Sequence, residues 1–261
     1  MTLNLNLVGG NAGGKAVVFQ HGLCGSAAQT AEVFPNDPRF HMLTLECRGH
    51  GGSGAGPLNA FSINTFANDI AEMVEAQNLA PLIIGGISMG AAISLHLAVH
   101  EPHLVKALVI ARPAWLIENN PDNMKPNAEI GELLASHSAA EAKALFLRSE
   151  TARRLARSSP DNLASLTSFF AREPLEVTSA LLSTISRDGP GVTEQQVRAL
   201  RIPTLIIATA QDAIHPLSHA LALHGMIDHS RLIEITPKGV DKARYVSEFQ
   251  STLLKFFEDH A

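Results

Sequence analysis

The strongest constraint in this chain is an alternation that repeats along it. A continuous run of β-branched and aliphatic residues leads into a glycine-rich turn or a helical pattern. The runs are Lys15–Gln20 (KAVVFQ), His41–Cys47 (HMLTLEC), Pro81–Ile87 (PLIIGGI), Val105–Ala111 (VKALVIA), Ile202–Ala210 (IPTLIIATA) and Ser230–Thr236 (SRLIEIT). Runs that are apolar throughout, rather than at every second position, predict strands covered on both faces. Between and after them lie helical patterns: Asn64–Asn78 spaces its apolar residues three and four apart, Ser88–Pro102 starts at the serine and is stopped by Pro102, and Asp241–Phe257 is amphipathic. Strand then helix, repeated, predicts an α/β fold with a mostly parallel central sheet and helices on both faces.

Residues Pro113 to about Thr193 break the rhythm. They hold several helical patterns (NAEIGELLASH, AAEAKALFLRS, PDNLASLTSFFA, PLEVTSALLSTIS) and no convincing strand. The expected organisation is therefore a core built from 1–112 and 194–261, interrupted by a helical lid at 113–193. The early NLVGGNAGG stretch reads as a hairpin or loop, because no helix follows it to form a phosphate cradle.

Composition narrows the function. A net charge of -5 argues against a nucleic-acid or anionic-membrane partner, both of which require a basic face. No apolar run approaches the ~20 residues a bilayer span needs. The N-terminus lacks the charged and apolar regions of a signal peptide. Cys24 and Cys47, the only two cysteines, are then expected to be reduced thiols in a cytoplasmic protein with a small-molecule substrate.

The sharpest local signal is Gly86-Ile87-Ser88-Met89-Gly90, a G-x-S-x-G match set between a strand and a helix. A serine on so tight a turn is strained, with its hydroxyl held above the sheet edge. The helix N-terminus behind it offers free N–H groups and a positive dipole end. With the HG pair at His21-Gly22 and RGHGGS at Arg48–Ser53, the chain resembles the α/β-hydrolase superfamily, in its lid-bearing serine esterase and lactonase branches, over almost its full length. That resemblance implies an oxyanion hole formed by the N–H groups of Leu23 and Met89. It implies loop-holding roles for His21, Arg48 and His50, with Cys24 bordering the hole or, more plainly, packing as a small residue. It also implies that Asp212, after the TLIIATA strand and four residues before Pro216, orients the base; the family's usual glycine three residues before the aspartate is Thr209 here.

The family's base normally follows the last strand, commonly as Gly-His. Here Gly239 is followed by Val240, and no histidine occurs between His229 and His260. Three readings stand. The base has moved to His215, three residues from Asp212 across a turn; or His50 or His21 serves from the other side; or catalysis is lost and the fold only binds. A serine needs both a base and an orienting acid to become a nucleophile, so Ser88, Asp212 and His215 are the expected catalytic residues. The expected activity is hydrolysis of a small ester or lactone through an acyl-enzyme, with no cofactor and no metal. Receptor-like binding, carbon–carbon bond hydrolysis and acyl transfer are the alternatives on the same pocket.

The remaining candidates concern binding. Arg112, at the carboxyl end of the ALVIA strand, is placed to hold a substrate carboxylate or to pair with a lid acid. Trp115, Phe146, Phe169 and Phe170 are candidate pocket residues, with helix packing as the plainer role. His215, His219 and His224 have conceivable metal spacing but no fourth ligand. His96, His100 and His103 read as belonging to a surface helix end.

Overall fold

The computed structural model describes residues 3–9 and 13–261. Among the described residues, seven strands form one sheet: β1 (Leu7–Gly9), β2 (Lys15–Gln20), β3 (Phe40–Leu45), β4 (Leu82–Ile87), β5 (Val105–Ala111), β6 (Thr204–Thr209) and β7 (Ser230–Ile235). Their order across the sheet is β1-β3-β2-β4-β5-β6-β7. Only β1 runs antiparallel, on β3; every other neighbouring pair is parallel. Part of the stretch read from sequence as a loop is thus a short edge strand, Leu7–Gly9, too brief to show a period. Residues 10–12 of that stretch lie outside the described residues.

The helices are α1 (Ala27–Val33), α2 (Ile63–Ala76), α3 (Met89–His100), α4 (Lys125–Ser136), α5 (Ala139–Arg148), α6 (Glu150–Ser158), α7 (Pro160–Ser168), α8 (Leu175–Ile185), α9 (Glu194–Arg198), α10 (Leu217–Met226) and α11 (Lys242–His260). Among the described residues, no helix is long and apolar enough to cross a membrane.

The sheet divides the core in two. Val18, Ile84, Leu108 and Ile206 face one side, where α2, α3 and α10 bring Phe66, Ile70, Ile93, Leu97 and Leu223. Val17, Phe19, Ile83, Val109 and Ile207 face the other, against Val33 of α1 and Tyr245, Phe249 and Phe257 of α11. Neighbours along each strand point to opposite faces, and both faces are dry. That is why the strands read as continuous apolar runs.

The helices α4 to α8 form a block between β5 and β6. Within it, α4 crosses α8 at Gly131, where a Cβ would lie 2.7 Å from the Ser183 nitrogen. Only glycine permits that approach, and Ser179 Oγ seals it by donating to Gly131 O at 2.7 Å. The block is tied to the core by side chains reaching backbone. Trp115 Nε1 donates to Asp188 O at 2.9 Å, Ile63 N donates to Asp188 Oδ2 at 2.7 Å, and Arg172 Nη2 donates to Gly49 O at 2.5 Å.

On the other face, α11 is held by Phe249, fully buried with its ring centroid 6.4 Å from Phe19 and 5.6 Å from Tyr245. Phe249→Ala should cost about 3–5 kcal/mol of unfolding free energy in urea titrations, as cavity-forming core substitutions do. A loss under about 1 kcal/mol would mean that α11 is anchored elsewhere.

Candidate active site

The carboxyl ends of three adjacent strands supply the site. Ser88 follows β4, Arg112 follows β5, and the loop carrying Asp212 and His215 follows β6.

Ser88 has φ 56 and ψ -110, a conformation L residues rarely adopt. Such a residue costs roughly 1–3 kcal/mol and persists only when its surroundings over-determine it. Here its N–H is held by Ala111 O at 3.0 Å, and its carbonyl accepts from Ala91 and Ala92 as α3 begins. The flanking glycines are required by space. A Cβ on Gly86 would lie 2.6 Å from the Gly90 carbonyl carbon, and one on Gly90 would run into the Gln20 carbonyl.

Ser88 Oγ lies 2.8 Å from His215 Nε2. His215 Nδ1 lies 3.0 Å from both carboxylate oxygens of Asp212. A bare nitrogen there would face two acceptors, so the proton belongs on Nδ1, leaving Nε2 free to accept from the serine hydroxyl. Asp212 is saturated with donors. Oδ1 also accepts from Asn162 Nδ2 at 3.0 Å, Ile214 N at 3.2 Å and His215 N at 3.0 Å. Oδ2 accepts from Arg112 Nε at 3.0 Å and Nη2 at 2.6 Å. Burial opposes charge on Asp212, but the adjacent His215 and Arg112 outweigh it and hold the carboxyl well below the usual range. For His215, burial is the larger influence and lowers its proton affinity; Asp212 works against this and Arg112 reinforces it.

The turn after β2 approaches the serine closely. A Cβ on Gly22 would touch Ser88 Cβ at 3.4 Å. Gly22 N donates to Gln29 Oε1 at 2.7 Å, and Gly25 N to Gly22 O at 3.0 Å. This fixes the turn while leaving the Leu23 N–H without an acceptor among the described residues. Met89 N is the first N–H of α3 and is likewise unclaimed there. Cys24 (φ 58) continues the turn, and its N–H donates to His50 Nε2 at 3.0 Å. Burial pushes the Cys24 thiol up to about 12, so it carries little thiolate. Cys24 lines a separate surface depression beside Arg172, not the cavity over Ser88.

The other two histidines near the site are occupied. His21 Nδ1 donates to Gly22 O at 2.8 Å, and its Nε2 accepts from Cys47 N at 3.1 Å. His50 Nδ1 donates to Arg48 O at 3.0 Å. Their ring centroids lie 4.7 Å apart, with the planes tilted by 40°. Arg48 closes the same loop with a two-pronged pair to Asp69, both contacts at 2.7 Å. These groups hold loops and leave no ring nitrogen for the serine.

The cavity over Ser88 is about 300 Å³. Its apolar wall is Leu23, Ile87, Met124, Leu166, Phe169 and Ile214; Gln29, Asn127, Asp161, Ser165 and Lys238 add polarity. Asn127 Oδ1 is buried without a partner there. Three aromatic residues considered from sequence lie elsewhere. Trp115 is buried with its indole spent on Asp188, while Phe146 and Phe170 pack against each other at 5.8 Å within the helical block. Arg112 does line the cavity, yet Nε and Nη2 are committed to Asp212; the acid it pairs with is in the core, not the lid. Sequence reasoning missed Asn162, which accepts from Ala213 N at 2.7 Å while donating to Asp212. Nothing in its helical context, PDNLASL, signals such a bridge.

Among the described residues, no group of three or more His, Cys, Asp or Glu side chains could hold a metal ion. His224 Nδ1 is 2.8 Å from Ser230 Oγ, and His96 Nδ1 donates to Pro190 O at 2.8 Å.

Burial holds His21, His50 and His215 below the ordinary imidazole value of about 6.5. The unfolded chain takes up protons there that the folded chain refuses. Stability should therefore fall as pH drops below about 6.5, by about 1.4 kcal/mol per pH unit for each imidazole still neutral in the fold. Urea titrations between about pH 7 and 5 should record this slope, and His50→Asn should make it shallower. A flat profile would contradict the burial account.

A family model described as the alpha/beta hydrolase fold matches residues 15–239. A protein called putative carbamate hydrolase RutD, from Klebsiella pneumoniae, is 28% identical over 238 residues, covering 85% of this chain and 83% of its own. The mouse protein called sn-1-specific diacylglycerol lipase ABHD11 is 30% identical over 144 residues, 54% of this chain and 44% of that one, so this chain spans less than half of that lipase. In structure, the enol-lactonase of Burkholderia xenovorans LB400 superposes with a TM-score of 0.72 at 19% identity, covering 98% of this chain and 96% of that one. With the sheet order and the elbow at Ser88 already in place, the family match over most of the length means that this chain belongs to the α/β-hydrolase family.

Proposed function

We propose that the protein is a serine hydrolase of small carboxylic esters or lactones, working through an acyl-enzyme with its base at His215. The observation that carries this reading is the chain of contacts from Ser88 Oγ to His215 Nε2 at 2.8 Å and from His215 Nδ1 to Asp212 at 3.0 Å. His215 takes the hydroxyl proton as Ser88 attacks the carbonyl carbon. The Leu23 and Met89 N–H groups receive the developing oxyanion, a contribution whose loss typically costs ~10²–10³ in rate for each donor. The imidazolium, steadied by Asp212, then protonates the leaving alkoxide. Water, deprotonated by the same imidazole, attacks the acyl carbonyl; collapse of the second tetrahedral intermediate frees the acid and returns the proton to Ser88. No step calls on a cofactor or metal.

A cavity of about 300 Å³ suits a small acyl group, at the lower end of the ~300–1,000 Å³ common for ligand pockets. Its mixed wall favours a substrate with polar substituents over a long alkyl chain. The relative named as a putative carbamate hydrolase makes carbamates a sensible third arm beside esters and lactones.

A fluorophosphonate probe tests the assignment. Labelling should vanish in Ser88→Ala and fall by about 10³-fold or more in His215→Ala, as loss of a triad base does. His21→Ala and His50→Ala should keep measurable labelling, weakened only through their loops. Full-rate labelling of His215→Ala would reject His215 as the base. Turnover of nitrophenyl ester, lactone and carbamate panels then orders the substrate classes, and labelling without turnover of any of them would favour a binding protein.

A further inference from the structure

We propose, resting on the serine-hydrolase reading, that Arg112 is a positioning residue of the relocated triad. It anchors Asp212 through Oδ2, keeps the buried trio electrically balanced, and thereby sets the acid limit of activity.

The geometry carries this. Arg112 directly follows the strand between those that lead to the serine and the acid, and its backbone there is left-handed at φ 46. Its N–H donates to Ile207 O at 2.7 Å, which fixes the turn that aims the side chain. Two guanidinium nitrogens bind one carboxylate oxygen, and Tyr245 of α11 lies under the guanidinium carbon, 6.0 Å from ring centroid. Nη2 is also 3.2 Å from His215 Nδ1. Beyond Asp212, a small cavity of about 80 Å³ separates it from the Pro237–Val240 turn, where the family usually places its histidine. Arg112 thus braces the carboxylate beside a turn, Pro237–Val240, that carries no imidazole.

Charge balance gives the bracing a second effect. In the resting site, Asp212 and Arg112 cancel beside a neutral His215. When Ser88 attacks, one imidazolium and one oxyanion appear together, and the buried sum stays zero. Without Arg112 the resting site would carry an uncompensated carboxylate, which favours a protonated and inactive His215. The other groups facing this cluster do not replace Arg112. Asn162 of α7 is neutral and bound to Asp212. His219 of α10 is held towards its neutral form, chiefly by burial. Lys238 after β7 pairs with Glu32 at 3.1 Å. Asp161 of α7 lines the cavity mouth and is exposed.

The test is the pH profile of fluorophosphonate labelling at Ser88 in three proteins. Arg112→Gln keeps a donor but removes the charge. Relative to wild type, its labelling rate should be about tenfold lower at about pH 5.5 than at about pH 8, because its acid limb moves to higher pH. Arg112→Lys keeps the charge but not the two-pronged grip, so it should label more slowly with its acid limb where wild type has it. A purely structural role would lower the Arg112→Gln rate by one factor at every pH, and that result would overturn the proposal, as would an Arg112→Lys limb displaced as far as that of Arg112→Gln. Should the variants fold poorly, the His215 ring followed by NMR in Ser88→Ala protein decides the matter. Compared with Ser88→Ala alone, a higher midpoint in Ser88→Ala/Arg112→Met protein supports the proposal, and an unchanged or lower one overturns it. Wild-type protein that does not label at Ser88 at all defeats the serine-hydrolase reading instead, so the two failures are separable.

Discussion

The site depends on one buried carboxylate. Asp212 accepts from two residues of its own loop, from Asn162 of the helical block and from Arg112 of the neighbouring strand, and it still holds the His215 ring. A charge taken from water is costly unless donors replace its hydration. Here the donors come from three structural units: the β6 loop, the turn after β5 and α7. Stabilising the charge and docking the helical block onto the sheet are therefore one event. The imidazole orientation follows, because two oxygens at equal distance leave its Nδ1–H a single direction in which to point.

Ser88 rests on a different support. The elbow at Ser88 is held in a disfavoured conformation by packing that excludes even a methyl group at Gly86 and Gly90. The parallel sheet beneath is dry on both faces, so it transmits little slack. The strain is paid for by the core, and the hydroxyl emerges at a fixed height above the strand ends. The turn after β2 then approaches within contact distance and leaves the Leu23 N–H without an acceptor among the described residues.

Much of this was legible in the sequence because its signals are local. Doubly covered strands announce themselves as unbroken apolar runs, and five of the six read that way, from Lys15–Gln20 to Ile202–Ala210, are also the buried centre of the sheet. The Gly-x-Ser-x-Gly elbow and the pairing of Asp212 with His215 are likewise short-range patterns. Edge strand Leu7–Gly9 escaped because three residues show no period, and α1 and α10 escaped because seven to ten residues give a weak one. The roles of Arg112, Trp115 and Asn162 could not be read because their partners lie 100, 73 and 50 residues away. Sequence spacing shows which side chains are close along the chain, not which buried carboxylate or carbonyl still lacks a donor.

Asp212 and His215 lie three residues apart on one turn. Their separation is closed by a loop too short to store much conformational freedom, so it is insulated from motions that open the sheet or shift its last helix. Where acid and base come from two different loops, breathing of either loop detunes the pair. Here only the span from β4 to the β6 loop must be kept in register, and two rows of parallel hydrogen bonds with β5 between them keep it. The turn at Gly239-Val240, largely exposed at Val240, makes no hydrogen bond to either member of the pair.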